Sequence, residues 1–181
     1  LAQVNYLVRG AAQLPLTAAV VGEAEPILRG LLRQQPDEPR ALFLLGMLGF
    51  LADNANEDMS ALERLEKNPA FAAVAAKEIG YQHYWAGRWA KAEEAVNRSI
   101  ALLPYWDNLE LKIVLALNWR GDLDLAKATL DRLPPSVLQE EGSVGFVEKV
   151  LRWRRESREL VAYLETIPQD WLETLEFSGP K

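Results

Sequence analysis

The side chains that ordinarily carry chemistry are few in this chain. It holds one histidine, His83, and no cysteine. Thiolate catalysis, disulfide staples and cysteine-based zinc sites are therefore excluded. A Ser-His-Asp or metal centre would have to rely on His83 alone. His83 shares a helical face with Ala76, Ile79 and Gly80, a face expected to pack on a neighbouring helix, so it reads as a structural histidine. The pairs Glu93-Glu94 and Glu140-Glu141 read as solubilising surface carboxylates. Arg152, Arg154, Arg155 and Arg158 form the one basic cluster. Interleaved with Glu156 and Glu159, they are expected to be ion-paired along a helix rather than to hold a phosphate. There is no phosphate-loop motif, no Gly-rich strand-to-helix turn and no H-E-x-x-H pair. No active site and no cofactor are expected within these residues.

The chemistry that remains is that of aromatic surface. Lys77, Tyr81, Tyr84 and Trp85 stand at spacings of four, seven and eight, on one helical face. Trp119 follows Trp85 by 34 residues. Tyrosine and tryptophan offer large apolar area with a polar tip, which suits a protein partner. The formal net charge of −6 over 181 residues argues against nucleic acid and anionic membrane as partners. The longest apolar run, 41–52, is too short to span a bilayer and contains two glycines, so a buried helix is expected there and no direct membrane insertion. With 49% hydrophobic and 25% charged residues the chain can bury a core. Lacking cysteine, it fits a cytoplasmic or a periplasmic setting equally. The first residue is Leu1 and the last five are FSGPK, which suggests a piece of a longer chain.

The elements that must position these aromatics recur. Gly87 and Gly121, Trp89 and Leu123, Ala92 and Ala126, and Val96 and Leu130 are each 34 residues apart, as are Leu45-Gly46 and Ile79-Gly80. Pro36, Pro69, Pro104, Pro134-Pro135 and Pro168 each follow an apolar helical run and close it. The period is that of a two-helix repeat. The clearest unit predicts helices over 73–86 and 89–103, joined at Gly87 in a left-handed conformation. Its second helix should bury a stripe of Trp89, Ala92, Val96, Ile100 and Leu103. The units read as 1–36, 37–69, 70–104, 105–135 and 136–168, followed by a capping helix over 169–178. Together they predict a single all-α domain, and no segment has a strand pattern.

Gly80, Gly87, Trp89, Ala92 and Pro104 stand at the spacing of the tetratricopeptide repeat signature, and the chain resembles that family. Gly121, Leu123, Ala126 and Leu130 match the second half of the signature, with Val114 in place of its first glycine. Leu42, Leu45 and Gly46 match the first half. The resemblance covers roughly 36–135. It implies a right-handed α-solenoid of antiparallel helix pairs, about five hairpins here, whose first helices line a concave groove. In that register the groove residues are Arg40, Phe43, Met47 and Phe50, then Lys77, Tyr81, Tyr84 and Trp85, then Asn108, Leu111, Leu115, Asn118 and Trp119. Some family members clamp a peptide carboxylate with Lys and Asn. Lys77 matches one clamp position, but Tyr81 stands where Asn is needed and Asn118 is not at that place in its unit. The expected function is a scaffold that grips a peptide or helix of a protein partner. Two other expectations are the regulatory or substrate-recruiting arm of a larger enzyme, such as a transferase, and self-association through a neighbour's terminal helix.

Overall fold

The computed structural model describes residues 18–51, 55–139 and 141–168. The expected cap over 169–178 and the start of the first unit lie outside them. Among the described residues the chain is helical, with no strand. The helices are α1 (Ala18–Gln34), α2 (Pro39–Leu51), α3 (Ala55–Leu65), α4 (Ala72–Trp85), α5 (Trp89–Leu102), α6 (Trp106–Leu115), α7 (Leu123–Leu130), α8 (Pro135–Leu138), α9 (Glu141–Trp153) and α10 (Ser157–Leu164). A π-helical turn, Ala116–Arg120, extends α6. The chain divides into two compact units, Leu1–Asn108 and Leu109–Lys181.

In the first unit α2 packs on α3 and α4 on α5. The core is built from Ala24 and Leu28 of α1, Leu42, Leu45 and Leu48 of α2, Leu62 and Leu65 of α3, and Ile79 of α4. Helix α2 starts at Pro39, whose missing N–H is no loss at the first helical position. Glu38 before it accepts the Ala41 N–H at 2.5 Å. At Gly46 a Cβ would stand 2.5 Å from Leu62 Cγ, so α2 and α3 touch where only hydrogen fits. On the α4 side, Gln82 Nε2 donates to the Gly46 carbonyl at 3.0 Å, in the interior.

Helix α5 corrects the predicted stripe. Its buried residues are Ala92, Ala95, Val96 and Ser99. Three of the four are small, so α5 lies close against α4, and Ser99 Oγ donates to the Ala73 carbonyl at 2.6 Å. Trp89, the first helical residue, is 43% exposed instead of buried. Leu103 is 58% exposed because the chain leaves the helix there in extended conformation, where helical spacing no longer applies.

Three turns each hold one residue in the left-handed conformation. At the end of α4, Gly87 takes φ +70, its N–H donates to Tyr84 O at 3.0 Å, and the Arg88 N–H donates to His83 O at 2.8 Å. At the end of α9 the same pair of bonds forms around Arg155, at φ 59. Gly121 takes φ +62 after the π-turn, where the Asp122 N–H donates to Ala116 O at 2.9 Å and Asp122 Oδ1 caps α7 by accepting from Leu125 N at 2.8 Å. Positions 87, 121 and 155 are 34 residues apart, and a tryptophan stands two residues before each: Trp85, Trp119 and Trp153.

In the second unit α9 packs on both α7 and α10. Leu130, Val147, Val150 and Leu151 are buried. Ion pairs join the turns: Arg154 with Asp124 and, at 2.6 Å, with Glu156, and Lys127 with Glu159 at 3.1 Å. Arg152 pairs with Glu148. Tyr163 donates to Leu138 O at 2.5 Å, and burial pushes its pKa up to about 12. Among the described residues no helix is long and apolar enough to cross a membrane.

Candidate partner-binding face

The candidate face is built on α4. Its core side is set by Ala75, Ala76, Ile79, Gly80 and Gln82, all buried. That choice turns Tyr81, Tyr84 and Trp85 outward. Trp85 is 67% exposed, the most of any large apolar side chain described. Tyr84 meets it edge-on, with ring centroids 5.3 Å apart and planes at 77°. Across the Gly87 turn stands the exposed Trp89. The end of the α4–α5 hairpin therefore presents an aromatic cluster to solvent.

One turn back along α4 the face becomes charged and dry. Lys77 is only 8% exposed. Its Nζ lies 2.6 Å from Glu78 Oε1, 3.6 Å from Asp107 Oδ2 and 5.3 Å from the centroid of the Tyr81 ring. A buried ammonium needs such partners, because desolvation without them would be prohibitive. Lys77 is thus held as part of the protein rather than extended toward a ligand. Burial, then the charges of Asp107 and Glu78, raises the Tyr105 hydroxyl pKa.

The other expected face residues separate. On α2, Arg40 is exposed and Met47 half-buried, while Phe43 packs against the core. Phe50 lies outside the residues whose side chains are described. Asn108, Leu111 and Leu115, expected on an open groove, are buried instead. The physical reason is that α6 and its π-turn are buried on several sides, with Leu109, Ile113, Ala116 and Leu117 also inside. Asn108 has a full set of internal bonds. Nδ2 donates to Ser99 Oγ at 2.9 Å and to Leu103 O at 2.8 Å, and Oδ1 accepts from Tyr105 N at 3.0 Å. Asn118 is exposed and Trp119 half-buried, with the Arg120 guanidinium 4.7 Å from the Trp119 ring centroid.

Two aromatic positions escape the sequence reading. One is Trp89, taken as core. The other is Trp153, 48% exposed, with Lys149 Nζ 4.6 Å from its ring centroid. The signal for Trp153 is the 34-residue offset from Trp119, hidden because arginine rather than glycine follows two residues later.

His83 is half-buried beside this cluster. Its pKa is lowered, first by burial and then by the charges of Arg88, Lys91 and Arg98, against a smaller opposite effect of Glu94. It is therefore neutral at pH 7. Its Nδ1 is buried and has no hydrogen-bond partner among the described residues. No family model, curated protein or solved structure matches this chain.

Proposed function

We propose that the chain is a protein-binding module. In this reading its helix pairs form a right-handed stack of the tetratricopeptide type that the 34-residue period resembles. A peptide or helix of a protein partner lies against the aromatic face begun by α4. The observation that carries the proposal is Trp85: two-thirds of a tryptophan stands in water, braced by Tyr84, with Trp89 exposed at the start of the next helix. Tryptophan and tyrosine dominate the residues on which association energy concentrates. Their burial on binding removes large apolar area from water at about 25 cal/mol per Å². The net charge of −6 favours a protein over a polyanion as the partner.

The test is a Tyr84→Ala/Trp85→Ala variant of the full protein, compared with wild type for recovery of its native complex from its own cell. Loss of the complex with unchanged helical content by circular dichroism is the expected result. Retention of the complex would overturn the reading. Unfolding of the variant would show the rings to be core, and would equally remove them as a binding face.

A further inference from the structure

The second unit carries an aromatic surface of its own. The end of α9 and the turn that enters α7 line an open cleft of about 690 Å³. Trp153 and Arg154 come from the end of α9, and Asp122, Leu123 and Asp124 from the turn. Trp153 is 48% exposed. Lys149, one helical turn earlier on the same face, holds its Nζ 4.6 Å from the centroid of the Trp153 ring.

Positive charge is in surplus around this ring. Both carboxylates that line the cleft are bonded within the protein, Asp124 to Arg154 and Asp122 Oδ1 to the Leu125 N–H at 2.8 Å. From Lys149 to Arg158 the cations Lys149, Arg152, Arg154, Arg155 and Arg158 face one carboxylate, Glu156, in a chain whose net charge is −6. The flanking Glu148 and Glu159 are engaged by Arg152 and Lys127. Of the four clustered arginines, Arg152 and Arg154 are ion-paired. Arg155, two residues after Trp153, is exposed and has no ion pair among the described residues. Exposed tryptophan beside arginine is a combination enriched where proteins meet. The surplus charge adds what the other side must carry.

We propose that the Trp153 surface docks an acidic segment of a protein partner, whose carboxylates meet Lys149 and Arg155 while an apolar side chain covers the ring. A nucleic acid fits less well: the acidic chain repels it as a whole, and Asp122 and Asp124 stand in the cleft itself. This surface lies within the second unit and does not rest on the reading of Trp85.

The experiment titrates the intact chain with a synthetic peptide of repeated Glu-Glu-Phe triplets, with a Lys-Lys-Phe peptide of equal length as the reference. Amide and indole resonances are followed, that of Trp153 being identified by its loss in Trp153→Phe. Saturable shifts of the Trp153 indole and of amides in 120–124 and 149–155 are expected with the glutamate peptide, with affinity falling as salt rises. Lys149→Gln/Arg155→Asn should weaken binding about tenfold and flatten the salt dependence, and Trp153→Ala should weaken it about as much. Asparagine accepts the left-handed backbone at position 155, so helical content should stay unchanged. The charge variant keeps the test decisive if Trp153→Ala loses helix. The Tyr84→Ala/Trp85→Ala variant should bind the peptide as wild type does, which separates this surface from the face on α4. No saturable shift, an equal response to the lysine peptide, or undiminished binding by the charge variant would overturn the proposal. Tighter binding of a single-stranded DNA oligonucleotide at the same resonances would also overturn it, by identifying a polyanion site.

Discussion

At the scale of single residues, the turns separate what is legible in a sequence from what is not. Gly87 and Gly121 announce left-handed turns because glycine carries no Cβ penalty there. Arg155 holds the same place at φ 59 and announces nothing, since arginine is compatible with almost any local structure. An L-residue in that conformation is strained by about 1–2 kcal/mol. Glycine's greater freedom in the unfolded chain offsets roughly half of that. Arg155→Gly should therefore stabilise the protein by about 0.5 kcal/mol, a rise of roughly 1–2 °C in melting temperature. Thermal unfolding checks it; a fall would mean that the Arg155 side chain makes a contact worth more than the strain. His83 supplies a pH prediction. Its folded pKa lies below the ordinary imidazole value of about 6.5, so the unfolded chain binds its proton more readily. The stability held through neutral His83 is complete above about pH 6.5 and is lost as pH falls through the folded pKa. Denaturant titrations between pH 7.5 and 5 should show stability declining in wild type and a flatter profile in His83→Gln. Parallel profiles would contradict the assignment.

At the scale of elements, the helix boundaries were the most legible feature, because prolines and glycines punctuate them. The predicted helices over 73–86 and 89–103 are found as α4, Ala72–Trp85, and α5, Trp89–Leu102. Which face each helix buries was less legible. The period of α5 pointed to its large residues, whereas close packing on α4 selects Ala92, Ala95 and Ser99 and leaves Trp89 outside. Asn108 was misplaced for a related reason. Spacing alone cannot tell a polar residue at a groove from one that closes a buried hydrogen-bond network. The π-turn at Ala116–Arg120 left no mark in the pattern. The α2–α3 pair offers the sharpest packing test. Gly46→Ala drives a Cβ into Leu62 and should destabilise the protein by about 1–3 kcal/mol. Adding Leu62→Ala should make the combined loss smaller than the sum of the two single losses, because the cavity accepts the new methyl. Additive losses in denaturant unfolding would show that the two helices do not meet at Gly46.

At the scale of the whole molecule, the chain is acidic and, among the described residues, helical, and it exposes Trp85 at the end of α4 and Trp153 at the end of α9. The 34-residue period places these tryptophans, yet it does not say which of the expected groove positions stay open. Leu111 and Leu115 are buried, whereas Trp85 and Trp153 are exposed. Helical spacing gives the face of a residue but not what comes to lie over it. The central claim is that a partner protein covers Trp85. Site-specific photo-cross-linking tests it most directly: a benzophenone amino acid replaces Trp85 in the full-length protein in its own cell, and Arg132, exposed on the other unit, serves as the control position. The account predicts one discrete adduct with a second protein at position 85 and none at position 132. No adduct at position 85, or the same adducts at both positions, would contradict it.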